Sequence, residues 1–350
     1  MGATLSDTPA DRHDTLSARV TEMADRCRAS GKIGDLFRLR DLRLAAGAEI
    51  TEHTATSWAK GADEPVIADL FPEAGGTIPE VDVRDLSIDR LRSAMHHHGA
   101  LIVRNLFASR LAFEFQGEID NVLGAAREAH RIAKGNASGD RSIHSKAFFL
   151  PPEEEAGEDR LASHWFMAKT GAIETFLSPR VSHRLLDTFE RLGLRGLLQA
   201  YFRDEPCVSF RKSVLRRTEP QDRRPEWHQD GAFMTENIQS LNLWVALSDC
   251  GDGTESPGME LLPKRLTSIL PTGTNGAIFD WSVSGASVAE AYPDTPPARP
   301  FFGAGDGIFF DHYNLHATST GALYSQPRYA IETWFFAKSR SALNQIPVYW

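Results

Sequence analysis

The segment Gly305-Asp-Gly-Ile-Phe-Phe-Asp-His-Tyr-Asn-Leu-His-Ala-Thr318 contains two short apolar runs separated by a polar turn. Short runs rich in β-branched and aromatic residues and bounded by glycine are typical of strands. The pattern recurs from Val208 to the end of the chain, and many short strands divided by Gly and Pro turns predict a sandwich or barrel such as a jelly roll. The predicted strands are 208–217, 241–247, 259–262, 298–302, 307–310, 315–318 and 329–336.

Helical patterns precede these strands, because apolar residues there recur at helical spacing. Helices are predicted at 8–59 (two or three), 85–95, 108–133 and 179–200, and a buried strand is predicted at 100–106. Ser87 is the expected N-cap of the second region. Between these elements, the polar stretches 135–146 and 151–159 are predicted loops of the kind that contribute to substrate recognition. We therefore predict a mainly β chain with added helices, of class α+β.

The composition limits the classes of function. With 41% apolar and 24% charged residues among 350, the chain is ordinary for a soluble globular protein, and no apolar run approaches the ~20 residues that a membrane helix needs. The formal charge of −9 argues against a nucleic-acid partner, because phosphate binding needs a clustered cationic surface. The amino terminus lacks the apolar core of a secretory signal, so we expect a cytoplasmic protein that binds neither nucleic acid nor a membrane.

Candidate metal ligands lie in the stretch Trp227-His-Gln-Asp-Gly231. The alternation of an extended chain places His228 and Asp230 on one face, and the glycine beyond them lets the backbone turn. A further ligand is expected on a later strand, where His312 and His316 have the same parity, so periodicity leaves both open. Two imidazoles and one carboxylate leave positions free, as in non-haem Fe(II) oxygenases, whereas a structural zinc site would want a fourth protein ligand.

A cationic residue follows these histidines. Arg328 lies twelve residues after His316, at the start of a predicted strand. Its planar guanidinium matches a carboxylate, so Arg328 is a candidate anchor for a diacid. For Arg328 taken alone, a salt bridge to a surface acid is the simpler interpretation.

Together these motifs resemble a known family. The triplet 228–230, the distal His316 and Arg328 are similar to the motifs of the phytanoyl-CoA dioxygenase family of Fe(II)- and 2-oxoglutarate-dependent oxygenases. The likeness covers residues 85–337. It implies a double-stranded β-helix (jelly-roll) core flanked by helices, with residues 1–64 as a helical extension and residues 65–350 as the oxygenase domain. It also selects His316 over His312, since the family's ligand is followed two positions later by a small hydroxyl residue, here Thr318.

The resemblance implies a dioxygenase that uses Fe(II), 2-oxoglutarate and O2. It would hydroxylate a small organic substrate, or otherwise oxidise it at a C–H bond, while 2-oxoglutarate is decarboxylated to succinate. Because the carboxylate ligand is present, halogenation is not expected. The catalytic metal ligands would be His228, Asp230 and His316.

The resemblance also implies residues around the cosubstrate. Arg328 would bind the distal carboxylate of 2-oxoglutarate, with Thr318 hydrogen-bonded nearby, and Trp244 and Asn242 would line the pocket. Phe233 and Met234 follow the metal motif and are candidates for an apolar wall at the substrate, or they pack under the neighbouring loop. Two other functions stay open at this point: a cupin-like metal enzyme that does not use 2-oxoglutarate, and a non-catalytic jelly-roll binding module.

Overall fold

The structure is a computed structural model that describes residues 9–53, 67–133, 169–220, 226–234 and 238–350. The predicted loops 135–146 and 151–159 lie outside these residues. The helices are α1 (Pro9–Ser30), α2 (Ile33–His53), α3 (Ile88–His97), α4 (Ser109–Ala133), α5 (Pro179–Arg191), α6 (Leu194–Phe202) and α7 (Gly285–Ala291). The strands are β1 (Glu80–Asp82), β2 (Ala100–Arg104), β3 (Ala172–Glu174), β4 (Pro206–Thr218), β5 (Ser240–Ala246), β6 (Met259–Leu261), β7 (Gly307–Phe310), β8 (His316–Thr318), β9 (Arg328–Ala337) and β10 (Pro347–Tyr349).

Eight strands form the larger of two sheets, in the order β1-β2-β7-β5-β9-β4, with β10 and β3 both paired to β4. The pairing is antiparallel except between β1 and β2. The smaller sheet is the ladder β6-β8, and isolated bridges extend it through His228 opposite His316 and Trp227 opposite Val283. The chain is therefore an α+β protein with a two-sheet, jelly-roll core and flanking helices, as predicted.

Alternation along β5 shows where the core lies. Leu241, Leu243 and Val245 are fully buried in a cluster that includes side chains from α3, α4, α5 and α6. The intervening Trp244 belongs to a second cluster, which contains Leu261 of the smaller sheet. One face of the large sheet thus packs on helices, while the other faces the smaller sheet. Because successive side chains point to opposite faces, Asn242 shares this second face with Trp244.

The amino-terminal helices pack on the rest of the fold. Two or three helices were predicted at residues 8–59, and the described part of that range, 9–53, forms two, α1 and α2. Helix α2 crosses β10 so closely that a Cβ on Gly47 would lie 2.0 Å from the carbonyl oxygen of Pro347, which explains the glycine. The division into an extension and a catalytic domain stays a prediction.

Several local predictions are confirmed and others are wrong. Ser87 is the N-cap of α3, and its hydroxyl accepts a hydrogen bond from the backbone N–H of Arg90. The single helix predicted at 179–200 is divided between α5 and α6, because Gly193 adopts a φ of 72°. The strand predicted at 298–302 makes only isolated bridges, at Ala298 and Phe302. Among the described residues, no helix is long and apolar enough to cross a membrane.

Candidate metal centre

Three side chains from two distant segments of the chain meet between the two sheets. Each of His228, Asp230 and His316 offers one ligand atom, and these atoms all lie within 4.8 Å of one another. The backbone enforces this approach, since the N–H of His228 donates to the carbonyl of His316 at 2.9 Å and the reverse bond measures 3.0 Å. A 3-10 turn, Asp230–Phe233, begins immediately afterwards and brings the carboxylate beside the two rings.

Both imidazoles are oriented by backbone carbonyls. The Nδ1–H of His228 donates to the carbonyl of Glu226 at 3.0 Å, and that of His316 donates to the carbonyl of Asn314 at 3.2 Å. In a neutral imidazole, each of these bonds places the proton on Nδ1 and leaves the lone pair on Nε2. A hydrogen bond of this kind fixes the ring of a metal-ligating histidine and raises its basicity. Both rings are therefore held in the form that binds a metal.

The carboxylate completes the donor set. Asp230 is buried, and its Oδ1 accepts a hydrogen bond from the ammonium of Lys212 at 2.6 Å. Its Oδ2 has no hydrogen-bond partner among the described residues and lies 3.6 Å from Nε2 of His316. A buried carboxylate oxygen without a partner is costly, and two imidazoles with one carboxylate suit a first-row divalent metal. The residues present fit a metal ion bound through Oδ2.

The protonation states agree with this assignment. Burial lowers the pKa of His228 to about 4, and the neighbouring His316 contributes in the same direction, so the His228 ring is neutral at physiological pH. Burial opposes the charge on Asp230, but Lys212 and the two histidines outweigh it and hold the pKa of that carboxyl below its ordinary value. Metal binding at neutral pH therefore requires no deprotonation of either side chain.

The competing histidine lies elsewhere. Nδ1 of His312 is 2.7 Å from the hydroxyl of Ser240, and His312 is not part of the three-residue group. A turn at 312–313 separates it from β8, so the alternation that made the two histidines equivalent does not operate between them. The structure thus brings His316, and not His312, to His228 and Asp230.

Arg328 is a buried cation, not part of a surface salt bridge. It is 3% exposed, and burial lowers its pKa to about 10, which leaves it protonated at neutral pH. Nη1 donates to the carbonyl of Gly258 at 2.9 Å and Nη2 to the hydroxyl of Thr218 at 3.0 Å, while Nε is buried without an acceptor. Among the residues that the structure describes, no carboxylate forms an ion pair with it. Its guanidinium carbon lies 5.3 Å from the centre of the Trp244 ring.

The other predicted cosubstrate residues lie nearby. The carbonyl of Gly258 accepts a hydrogen bond from Arg328 and another from the N–H of Ser319, the residue after Thr318. The end of β8 therefore lies next to the guanidinium. Thr318 itself is half-buried, and the hydroxyl that contacts Arg328 is that of Thr218 instead. Asn242 is buried, and its Oδ1 has no hydrogen-bond partner.

Phe233 and Met234 occupy different environments. Phe233 is half-buried, with its ring 5.5 Å from that of Trp281 and 4.4 Å from the ammonium of Lys212. Met234 is buried in the apolar cluster between the sheets. Phe233 therefore borders the metal centre, whereas Met234 packs in the core, and a contact of either residue with substrate stays a prediction.

Sequence reasoning missed the charged residues of β4. Lys212 bonds Asp230, and Arg216 forms an ion pair with Glu332 at 2.7 Å. The sequence carries little signal for them, because β4 also contains Ser and Arg residues of the opposite parity and a register shift interrupts its alternation. The partners of Lys212 and Arg216 lie far away in sequence, so the pairs themselves were not predictable.

Gln229, between the two ligands of the first motif, points away from the metal centre and is fully buried. Its Nε2 donates to the carbonyls of Ser268 and Tyr313 at 2.9 and 2.7 Å, and its Oε1 accepts from the N–H of Leu270 at 2.7 Å. One amide thus ties the loop after β6 to the turn before β8. It fixes the segment that carries both His228 and Asp230.

We expect Gln229→Met to lower the free energy of unfolding by about 2–4 kcal/mol, because three buried hydrogen bonds of about 1 kcal/mol each are lost. Urea denaturation of the metal-free protein measures the change. Gln116→Met is the matched control, since the Gln116 amide makes one such bond, to the carbonyl of Leu247. Equal losses in the two variants would contradict the role assigned to Gln229.

Comparison with known proteins finds distant structural likenesses. No protein-family model matches the chain, and no curated protein matches it. The non-heme alpha-ketoglutarate-dependent carbocyclase SnoK from nogalamycin biosynthesis is 16% identical, with a TM-score of 0.45 over 73% of this chain and 86% of SnoK. EctD from S. alaskensis, solved with 2-oxoglutarate and 5-hydroxyectoine, is 15% identical, with a TM-score of 0.44 over 83% of this chain and 82% of EctD. The epimerase SnoN is 16% identical, with a TM-score of 0.39 over 71% of this chain and 82% of SnoN. The likeness concerns the fold alone.

Proposed function

We propose that the protein is an Fe(II)- and 2-oxoglutarate-dependent dioxygenase that hydroxylates, or otherwise oxidises at a C–H bond, a small organic substrate. The observation that carries this proposal is Arg328, a buried cation with no anionic partner among the described residues, on the sheet face that also borders the metal centre. An unpaired buried guanidinium is costly unless a ligand supplies the opposite charge. A dicarboxylate that reaches from the metal to Arg328 supplies it.

The metal ligands of the proposal are His228, Asp230 and His316. Bound there, Fe(II) would supply the activation of O2 that is coupled to conversion of 2-oxoglutarate to succinate and CO2. The chain's own contribution is to hold the ligands: two carbonyls fix the imidazoles, and Lys212 fixes one carboxylate oxygen. Three protein ligands leave positions free for the cosubstrate, which a closed structural zinc site does not.

The cosubstrate would lie between the metal and Arg328. The guanidinium has its Nε free, and a fork of donors matches a carboxylate better than any neutral group. Trp244 would pack against the carbon chain beneath the guanidinium, and Thr318 and Asn242 would provide polar contacts along the same face. The Oδ1 of Asn242, which has no partner, is suited to a hydrogen-bond donor on the bound molecule or to a water.

Membership of the phytanoyl-CoA dioxygenase family belongs to this proposal, as does hydroxylation as the outcome. Phe233 is proposed to contact the substrate because it borders the metal centre, and a cytoplasmic location is proposed with it. A cupin-like enzyme that does not use 2-oxoglutarate would have no need for the buried charge of Arg328. A binding module would have no need for three converging metal ligands.

The test adds Fe(II) and then 2-oxoglutarate to the purified protein without oxygen. We expect a visible metal-to-ligand charge-transfer band, and a stabilisation against heat of about 2.7 kcal/mol at 100 times the 2-oxoglutarate Kd. Succinate formation that requires O2 would complete the assignment. Metal binding without any response to 2-oxoglutarate would favour the cupin-like enzyme, and no metal binding would favour the binding module.

A further inference from the structure

Three aromatic rings form a continuous wall from the protein surface to the metal centre. Phe279 stacks on Trp281, with ring centres 5.0 Å apart and planes inclined by 6°. Trp281 meets His228 edge to face at 5.6 Å, and Phe233 lies 5.5 Å from Trp281 on the other side. We call Phe233, Phe279 and Trp281 the aromatic wall. Its inner end contacts His228, so a molecule lying along the wall would reach the metal centre.

The wall is fixed to the metal centre by backbone hydrogen bonds. Val283, two residues after Trp281, donates its N–H to the carbonyl of Trp227 at 2.7 Å, next to His228. The hydroxyl of Ser282 bonds both the N–H and the carbonyl of Phe279 at 2.9 Å. The rings are therefore held in place before any ligand arrives, which lowers the entropic cost of binding.

The outer end of the wall is unusually apolar for a surface. Phe279 is 40% exposed and its neighbour Ile278 is 45% exposed. Together they account for two of the seven large apolar side chains that are exposed in the described part of the chain. Exposed apolar side chains that are grouped mark a binding surface more often than scattered ones do. Aromatic rings pair with flat partners in offset-stacked or edge-to-face arrangements, so the ring surface that Phe279 leaves exposed is suited to such a partner.

The charges beside the wall favour an anion. At the metal centre, Lys212, Arg216 and Arg328 face Asp230 and Glu332, which leaves one net positive charge there, whereas Asp280 of the wall segment is exposed to solvent. Fe(II) and the dianion of 2-oxoglutarate cancel each other, so the loaded site keeps that excess. The ammonium of Lys212 lies on the wall, 4.4 Å from the Phe233 ring.

The ammonium of Lys212 also has unused hydrogen-bond donors. An ammonium group has three N–H donors, and that of Lys212 uses one on Asp230, with no other acceptor bonded to it among the residues described. Once Asp230 shares its charge with a metal, the ammonium is free to pair with a second anion. The same cation repels a positively charged ligand, although aromatic walls otherwise attract such ligands.

We propose that the substrate is a flat aromatic carboxylate, whose ring stacks on the aromatic wall and whose carboxylate pairs with Lys212. The proposal rests on the proposed function, since it assigns the substrate class of the same site. Because the wall ends at His228, the ring's inner edge is the part presented for oxidation.

The test measures probe binding by calorimetry to the protein loaded with Fe(II) and 2-oxoglutarate without oxygen. The probes are 2-naphthoate, its uncharged analogue 2-naphthamide and the non-aromatic cyclohexanecarboxylate. We expect 2-naphthoate to bind up to roughly 10-fold more tightly than cyclohexanecarboxylate, the scale of one stacked aromatic pair. We expect it to bind roughly 3- to 5-fold more tightly than 2-naphthamide, the scale of one ion pair. Trp281→Ala should remove most of the preference over cyclohexanecarboxylate. Lys212→Met should remove the preference over 2-naphthamide.

Matched controls separate these effects from general damage. Phe113→Ala removes a ring that is 72% exposed on α4, and Lys338→Met removes a lysine ion-paired to Glu205 at 2.7 Å. Both should keep the wild-type preferences, as should the conservative variants Trp281→Phe and Lys212→Arg. Because Lys212 also holds a metal ligand, the ratio of naphthoate to naphthamide binding is the decisive quantity, since a change in metal affinity alone would not move it.

The outcomes distinguish the proposed substrate class from the proposed dioxygenase function. A charge-transfer band together with equal binding of all three probes would overturn the aromatic carboxylate while leaving the dioxygenase intact. Unchanged preferences in Trp281→Ala or Lys212→Met would overturn it as well. Absence of the band in the wild-type protein would instead overturn the proposed function.

Discussion

His316→Ala is expected to weaken Fe(II) binding by more than about 100-fold, and to abolish O2-dependent succinate formation. Removing a residue that only hydrogen-bonds a metal ligand typically lowers metal affinity by about 10–100-fold. Removing a ligand itself should lower it by more. His316 supplies one of three converging donor atoms, and no other histidine in the described residues is grouped with them. Metal analysis after dialysis, together with Fe(II) titration, measures the effect.

His312→Ala is the matched control. It removes a buried imidazole four residues away that bonds Ser240 and does not belong to the ligand group. We expect it to cost stability through the lost hydrogen bond while the affinity for Fe(II) stays within a few-fold of wild type. Loss of iron in His312→Ala with retention in His316→Ala would overturn the ligand set.

The second large effect is expected at Arg328. Arg328→Met should weaken 2-oxoglutarate binding by about 2–5 kcal/mol, roughly 30-fold or more in Kd, because truncating one partner leaves the other charge unpaired. The affinity for Fe(II) should be unaffected, since Arg328 contacts none of the metal ligands. Titration of the charge-transfer band with 2-oxoglutarate at saturating Fe(II) gives both numbers.

Arg328→Lys separates charge from shape. Lysine keeps the positive charge but loses the fork that contacts Gly258, Thr218 and the proposed carboxylate together. We expect an affinity between those of wild type and Arg328→Met. An unchanged affinity in both variants would exclude Arg328 as the anchor for the cosubstrate.

The sequence predicted the parts of the site that depend on local geometry. His228 and Asp230 are two residues apart in an extended segment, so alternation alone put them on one face. The choice of His316 over His312 needed the family resemblance, because a turn breaks the alternation that equated them. The break between α5 and α6 was missed because the apolar pattern continues through Gly193.

The remaining features depend on contacts between distant segments. Lys212 reaches Asp230 across a bulged strand, and Arg216 pairs with Glu332 on the neighbouring one. Neither pair is separated by a number of residues from which a contact could be predicted from one sequence. Strands β1, β3 and β10, each three residues long, were also missed.

His228 and His316 pair through their backbones and both would bind the proposed metal. The metal would therefore cross-link two segments of the chain in addition to its role in catalysis. These residues are far apart in sequence, and only one isolated bridge joins them, at the margin of a smaller sheet whose strands are three residues long. A metal held by both side chains closes the intervening chain into a loop, and loop closure reduces the freedom of the unfolded state. Loss of iron would therefore loosen the smaller sheet first, which couples the local order of the site to its occupancy.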